Sequence, residues 1–396
     1  MTRPESSSPG LRVVVVSPRY APDIGGVEQV AERNAQGASG RGIQVEVLTT
    51  DPTGRLPRLE RIGGIPVRRF PTILGDAIYF VSPRLAWWLC RRPGRYDLIH
   101  VHSYHTALAL AVAAVSRLNG VPYVVTAHYH GTGHTGARRA LHVLYAPLGR
   151  WMLRSARAIV CASEAEAALV RRQAGEGLPI TIVPPGIEVG EIRDALPLAR
   201  DTGRSIVLGV GRLEPYKQTG RLLDALPLLP GTVDVVLVGD GPARADLEAQ
   251  IATRGLEGRA RMLGAVPRPE LLAWYRTADV LVTLSRHEAF GIVIAEAGAA
   301  GLTIVASDIP SHREVAAHLP DGQVRFVSPD CSPADLAEAV GAAVGSPPRA
   351  PGAASLPTWD DAADHIVTVY GSILSASRAP VDRMQPGDGQ VGTWTG

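Results

Sequence analysis

Apolar residues in this chain fall in short unbroken runs bounded by glycine, proline or polar residues, and between the runs lie longer stretches with helical spacing. A run with no polar face suits a strand of a parallel sheet covered on both sides. On this basis strands are predicted over 11–17, 44–49, 99–102, 123–126, 158–161 and 180–183. A second series follows over 206–210, 233–238, 261–263, 280–284, 303–306 and 324–327. Strands alternating with helices are the βαβ pattern of doubly wound α/β sheets. The series breaks over 196–204, which is polar and strandless, so two domains are expected, 1–197 and 198–358. Residues 359–374 have the apolar spacing of one more helix, and 377–396, rich in proline, glycine and polar residues, read as a disordered tail.

Composition agrees with two domains. The chain has 396 residues, too many for one ordinary core, and 45% of them are hydrophobic. A net charge of +2 gives no general attraction to nucleic acid, and no nucleic-acid motif is present. Cys90, Cys161 and Cys331 are odd in number and scattered, which suggests neither a disulfide framework nor a zinc site. Residues 1–10 are polar, and the longest apolar run, over 107–115, is too short to span a bilayer, so a cytoplasmic protein is expected.

Candidate chemistry begins at Lys217, the single lysine among 40 Lys plus Arg. A chain that writes arginine nearly everywhere keeps one lysine where a compact, movable ammonium serves better than a planar fork. The strand over 206–210 ends at Gly211 and is followed by Arg212 and Lys217, two cations on a glycine loop at the mouth of an α/β domain, as a diphosphate clamp requires. Some seventy residues on, another apolar strand runs into Arg286-His287-Glu288-Ala289-Phe290-Gly291-Ile292 and an alanine-rich helix to about Gly301. The start of that helix presents unpaired N–H groups and a positive dipole end, which suit phosphate. Glu288 precedes the helix and Glu296 lies within it. Carboxylates make poor phosphate ligands but good acceptors for hydroxyls on either side of one, a ribose and a sugar. Together these residues describe a nucleotide-sugar site.

The whole set, Glu288-x7-Glu296 with Phe290-Gly291, Gly211-Arg212-Leu213 with Lys217, and Val238-Gly239-Asp240-Gly241-Pro242, resembles the retaining GT-B-fold glycosyltransferases of family four. Gly25-Gly26-Val27-Glu28, Thr126-Ala127-His128 and Pro184-Pro185-Gly186-Ile187-Glu188 are similar to that family's pattern too, and the likeness spans about residues 11–376. The resemblance implies two Rossmann-like domains facing a cleft, an acceptor-binding first and a nucleotide-sugar-binding second, with a helix over 359–376 crossing back. It also implies transfer with retention. Arg212 and Lys217 would stabilise the leaving diphosphate, Glu288 would orient the transferred sugar and Glu296 would bind the ribose. Gly25, Gly26, Gly211, Phe290, Gly291 and Ile292 would shape or donate to the donor site. His128, at a strand end in the cleft, would bond the donor sugar or place the acceptor. No Asp-x-Asp triplet occurs, so no divalent metal or other cofactor is expected.

On the acceptor side the candidates are Tyr20, Asp23, His130 and His134, with Glu28 read as a partner of its helix dipole. His128, His130, His134 and His142 together suggest a metal site only weakly, because no carboxylate or cysteine lies among them. A dinucleotide-dependent oxidoreductase is disfavoured. After Gly209-Val210-Gly211 the third glycine position is Glu214, and after Gly239-Asp240-Gly241 it is Arg244. The favoured acceptor is a small soluble one, an aminocyclitol or aminoglycoside intermediate, with a UDP-sugar donor. The alternatives are a lipid- or polysaccharide-directed transferase, for which Trp87-Trp88 and the surrounding arginines would meet a membrane surface, and a non-catalytic nucleotide-sugar-binding regulator. Donor base, acceptor identity and oligomeric state are not written in these motifs.

Overall fold

The computed structural model describes residues 10–23, 25–73, 80–129, 131, 136–200, 203–347, 349–352 and 355–378. The first sheet comprises β1 (Arg12–Ser17), β2 (Gln44–Asp51), β3 (Leu59–Ile62), β4 (Ile65–Pro71), β5 (Leu98–His102), β6 (Tyr123–Thr126), β7 (Ala158–Cys161) and β8 (Ile180–Ile182). Their order is β3-β4-β2-β1-β5-β6-β7-β8, parallel except where β3 pairs antiparallel with β4. Among its helices are α1 (Gly26–Gly40), α2 (Pro83–Cys90), α3 (Ala107–Asn119), α4 (Gly136–Ser155) and α5 (Glu164–Ala174), while α6 (Val189–Asp194), which follows β8, packs with the second half.

The second sheet holds β9 (Ser205–Val210), β10 (Val233–Val238), β11 (Ala260–Gly264), β12 (Val280–Thr283), β13 (Thr303–Ser307) and β14 (Val324–Val327), in the order β11-β10-β9-β12-β13-β14. Its helices are α7 (Gly220–Ala225), α8 (Arg244–Thr253), α9 (Arg268–Thr277), α10 (Ile292–Ala300), α11 (Pro310–Ala316) and α12 (Pro333–Val344). The last helix, α13 (Trp359–Arg378), runs two residues past the expected end. Residues 379–396, most of the expected tail, lie outside the described residues.

Both sheets are buried on both faces, which is why their strands read as unbroken apolar runs. Val13 and Val15 pack with α1 and α13, while Val14 and Val16 pack with α2, α3 and α4. Each fully buried valine contributes about 1.5–3 kcal/mol of transfer free energy. The β3–β4 hairpin is absent from the expectations above. Its strands alternate with charged residues such as Glu60, Arg61 and Arg68, but Gly63 (φ 55°) and Gly64 (φ 81°) form the positive-φ pair of a tight hairpin turn, a signal that was there to read.

The chain returns to the first sheet at its end. Ile366, Val369, Tyr370 and Ile373 of α13 enter the core under β1 and β5. Gly37 lets α1 meet α13, since a β-carbon there would stand 2.4 Å from Ala363 Cβ. Ile187 and Ile192, by contrast, pack in the core beneath the second sheet, ahead of the 196–204 linker. Strand order reverses about β1 and β9, so the loops after β1, β5, β9 and β12 open at the two switch points, where open α/β sheets hold ligands.

Candidate functional site

The loop after β9 is built on the absence of side chains. Gly211 has φ 138°, and its N–H donates to Val238 O at 3.0 Å. Gly211 therefore gives the loop its shape and offers no amide to a ligand. Leu213 N–H donates to Asp240 O at 2.9 Å, and Ala243 N–H to Leu213 O at 2.9 Å, so the loop after β10 backs the loop after β9. A β-carbon on Gly239 would lie 2.0 Å from Gly211 O, and one on Gly241 2.5 Å from Leu213 O. The two glycines of Val238-Gly239-Asp240-Gly241-Pro242 are thus explained by close backbone contact behind the loop. In front of it, a pocket is lined by Gly211, Arg212, Lys217 and Thr219 with the end of β12.

Lys217 ends a 3-10 turn over Pro215–Lys217 and forms an ion pair with Glu288 Oε1, which also accepts from Ser285 Oγ at 2.9 Å. The two side chains are only 18% and 15% exposed. Burial pulls the Lys217 ammonium down, but the charge of Glu288, with Tyr216 and the Glu288 hydrogen bond, more than offsets this and leaves its pKa above the ordinary lysine value. Burial pushes Glu288 up, and the charge of Lys217 with that of His312 brings it below the ordinary carboxylate value. Both groups stay charged. Arg212 stands beside them, its Nε donating to Glu214 Oε1 at 2.9 Å.

Gly291 caps α10 in the left-handed region at φ 108°, and the Phe290 ring is buried beneath it. In the first turn of α10, the N–H groups of Ile292 and Val293 have no partner within the helix. Glu296 is also accounted for: Arg268 Nη1 binds Oε1, and Tyr275 OH donates to Oε2 at 2.9 Å. A carboxylate has about four lone-pair sites, so this leaves room for a ribose hydroxyl. Neither Arg268 nor Tyr275 carries a sequence signal that singles it out. His312 is a further addition. Its Nδ1 lies 2.9 Å from Ser307 O, its Nε2 is buried without a partner, and the ring backs Gly291.

On the opposite side, Gly25 and Gly26 lead from β1 into α1. A β-carbon on Gly25 would meet Glu28 Oε2 at 2.3 Å, whereas one on Gly26 would meet nothing within 4 Å, so Gly26 is the residue with open space before it. Glu28 lies in the first turn of α1, as expected, and is buried there. Burial raises its carboxyl above the usual range, and its own backbone amide, with Arg19 and Arg212, works against that rise. Asp23 is exposed on the approach to α1. Tyr20, expected on the acceptor side, is a correction: it is 1% exposed and packs with Val13, Val15, Ala31 and Ala35 in the core. The chain turns inward after β1, and the apolar body of the ring follows it.

His128 follows β6 with φ 46°, a left-handed conformation that a non-glycine residue adopts only when its surroundings hold it there. Its Nε2 lies 3.1 Å from Nδ1 of His102, the last residue of β5. The next amide, Tyr129 N–H, donates to Glu166 Oε1 at 2.5 Å, and Ala162 N–H donates to Oε2 of the same carboxylate at 2.6 Å. Burial raises the Glu166 carboxyl to about 7, while those two amides hold it down. His128 lines a second pocket with Asn34, Thr126, Ala162, Pro184 and Trp359. His130, His134 and the side chain of His142 lie outside the described residues. No group of three or more potential metal ligands occurs among the described residues.

Three contacts join the two sides behind the cleft. Ser163 Oγ donates to Ala289 O at 2.5 Å, one residue from Glu288. Glu314 of α11 accepts from Glu164 N at 2.7 Å and from Ala165 N at 3.1 Å, capping α5 from the other half. The site is therefore assembled from two sheets that are tied at the rear and open at the strand ends.

Comparison with known proteins agrees with this architecture. The family described as glycosyltransferase family 4 matches residues 24–191, and glycosyl transferases group 1 match residues 193–350. A GDP-mannose:cellobiosyl-diphosphopolyprenol alpha-mannosyltransferase of Komagataeibacter xylinus is 31% identical over 310 residues, covering 76% of each chain. A D-inositol 3-phosphate glycosyltransferase of Jonesia denitrificans is 27% identical over 417 residues, covering 92% of this chain and 96% of the relative. In structure, a sucrose-phosphate synthase from Thermosynechococcus elongatus superposes with a TM-score of 0.81 at 20% identity, covering 92% of this chain and 100% of that one. Two adjoining family matches that meet at the junction of the two sheets, and a relative above 30% identity across most of the chain, lead to one conclusion: this protein is a GT-B glycosyltransferase of family four.

Proposed function

We propose that the chain moves a hexose or amino-hexose from a nucleoside diphosphate sugar, UDP being the first to test, to a hydroxyl of a small soluble acceptor of the cyclitol or aminocyclitol class, with retention and without a divalent metal. The observation that carries the donor half is the Lys217–Glu288 ion pair beside Arg212 and the first turn of α10. A diphosphate entering there meets two cations and a helix N-terminus, while Glu288 stays ionised to accept from a sugar hydroxyl. Glu296, steadied by Arg268 and Tyr275, would take the ribose.

Departure of the diphosphate places negative charge on its β-phosphate oxygens. Arg212, Lys217 and the amides of Ile292 and Val293 stabilise that charge where it develops, and such preorganised contacts are worth several kcal/mol each in mutational series, roughly 3–4 for one donor. The acceptor approaches from the face the phosphate leaves, and the departing phosphate oxygen takes its proton, so no protein nucleophile is needed. These cations would do the work of a metal, in keeping with the missing Asp-x-Asp triplet. The cyclitol class is supported by relatives named for inositol 3-phosphate that align over 92% of the chain.

A lipid-linked acceptor is the second reading, favoured by one observation. Between residues 83 and 157 the sequence holds Arg84, Arg91, Arg92, Arg95, Arg117, Arg138, Arg139, Arg150, Arg154 and Arg157 against the single acid Asp97. Trp87 is 58% exposed on this stretch and Trp151 40%, while Trp88 is core. The Komagataeibacter relative is named for a polyprenol-linked acceptor. No helix among the described residues is long and apolar enough to cross a membrane, so contact would be at a surface.

Calorimetry with UDP-, GDP-, TDP- and ADP-sugars, with and without EDTA, tests the donor half. Binding of one of them unchanged by EDTA is expected, and binding that EDTA abolishes overturns the metal-free reading. Sedimentation with anionic vesicles separates the acceptors, since firm binding would favour the lipid-linked one.

A further inference from the structure

Beneath His128 lies a row of buried imidazoles that the proposed transfer leaves without a role. β5 ends His100-Val101-His102, and because side chains two apart on a strand share a face, both histidines turn toward α1 and α13. His100 is satisfied at both nitrogens, Nδ1 by Tyr370 OH at 2.7 Å and Nε2 by Thr126 Oγ1 at 2.6 Å. His102 is satisfied at one only. Its Nδ1 lies 3.1 Å from His128 Nε2, the two ring planes are within 25° of parallel with centroids 5.4 Å apart, and its Nε2 is buried with no partner. Neither His100 nor His102 is exposed to solvent.

The tautomer follows from that accounting. A neutral imidazole has one N–H and one bare nitrogen, and the hydrogen bond made at one nitrogen sets the state of the other. A buried N–H without an acceptor is rarer and costlier than a bare lone pair. His102 therefore keeps Nε2 bare, carries its proton on Nδ1 and donates it to His128 Nε2. His128 must then hold its own proton on Nδ1. Protonating His128 at Nε2 would set two N–H groups against each other, or drive the His102 proton to Nε2 where no acceptor is present.

We infer that His102 is a positioning residue that holds His128 in the neutral Nδ1–H form, so that His128 meets a sugar or acceptor hydroxyl as a fixed neutral donor and not as an imidazolium. Among the described residues, the titratable groups near His128 include, on β5, His102 and His100, which burial and the neighbouring imidazoles hold below the ordinary histidine range. From α13 Tyr370 reaches His100, from α5 the Glu166 carboxylate holds the amide after His128, and α1 offers uncharged Asn34. None of these supplies His102 with a second partner.

The role for His128 in transfer rests on the reading above, but the tautomer does not, so the two can fail separately. Long-range 15N–1H NMR of the histidines in the full chain, from pH 5.5 to 8, reads the tautomer without any substrate. His128 is expected as Nδ1–H throughout. In His102→Phe, which keeps the ring and removes the donor, His128 should titrate with a midpoint near the ordinary value of about 6.5. The acid limb of kcat/KM should move up in pH with it. His102→Asn, whose Nδ2 takes the place of the lost Nδ1–H, should restore the wild-type profile. A wild-type His128 found as Nε2–H, or titrating alike in wild type and His102→Phe, overturns the inference. If His102→Phe does not fold, the wild-type spectrum still decides. A correct tautomer with unchanged kinetics in His128→Phe would leave His102 in place and sink only the role of His128 in transfer.

Discussion

In the proposed donor site a diphosphate entering beside Arg212 would compete with Glu288 for the Lys217 ammonium, and such an exchange of partners would suit a compact cation. Lys217→Ala is expected to lower turnover tenfold or more, about 1.4 kcal/mol in barrier. It also leaves Glu288 ionised without its cation, so the melting temperature should fall too. Lys217→Arg should lose less than alanine but still substantially, because a bulkier planar fork does not fit the compact ammonium's place against Glu288. Full turnover of the arginine variant in initial-rate assays at saturating donor would remove that argument. Glu166 gives a prediction with a sign. Burial raises its carboxyl from 4.5 to about 7, so the folded protein binds a proton more tightly than the unfolded chain. Stability from this group is complete below about pH 4.5 and is lost as pH rises to about 7, by about 3 kcal/mol if no other group responds. Glu166→Gln does not titrate. The difference in melting temperature, wild type minus variant, should therefore fall between those values and level off above them; a flat difference would count against the raised pKa. Lys217, Glu288 and Glu296 could be singled out from sequence because their spacing fits a nucleotide-sugar. His102, Arg268, Tyr275 and His312 could not, since each acts through a neighbour that only folding supplies.

At the scale of elements, the strands were legible because both faces of each sheet are covered, and the helix ends because glycines mark them. The β3–β4 hairpin was not, since its exposed edge alternates in polarity, although Gly63-Gly64 marks the turn. The loops after β9 and β10 act as one unit through backbone contact alone. Gly239→Ala would put a β-carbon 2.0 Å from Gly211 O and push the loop carrying Arg212 and Lys217 toward the cleft. Overpacking of this kind costs about 1–3 kcal/mol. The expected result is a donor KM at least tenfold higher with the fold retained by circular dichroism, and an unchanged KM would show that the loop tolerates the shift.

For the molecule as a whole, the cleft depends on contacts at its rear. Gly186 closes against the start of α13, where a β-carbon would lie 2.0 Å from Trp359 N, so Gly186→Ala is expected to destabilise the protein by at least about 1–3 kcal/mol in urea unfolding. Glu314 caps α5 across the junction, and removing a cap of this type costs about 1 kcal/mol. Glu314→Ala should therefore change stability modestly yet loosen the relation of the two halves, seen as a larger radius of gyration in solution scattering and a raised donor KM. Equal scattering curves for the two proteins would mean that Ser163 and α13 hold the halves without it.

The sequence by itself determined the class of fold, most of its strands in chain order and the family, because apolar periodicity and glycine loops are local properties that survive without coordinates. It also named the two cations and two carboxylates proposed for the donor side, whose spacing along the chain is itself the signal. Tertiary structure decided what those groups touch. Lys217 meets Glu288 and Glu296 meets Arg268 only because β9, β12, α9 and α10 converge. Tyr20 belongs to the core because the chain turns inward after β1. His128 has a fixed partner because β5 and β6 lie side by side. Proton placement and charge pairing depend on distances between segments far apart in sequence, and no linear spacing encodes those distances.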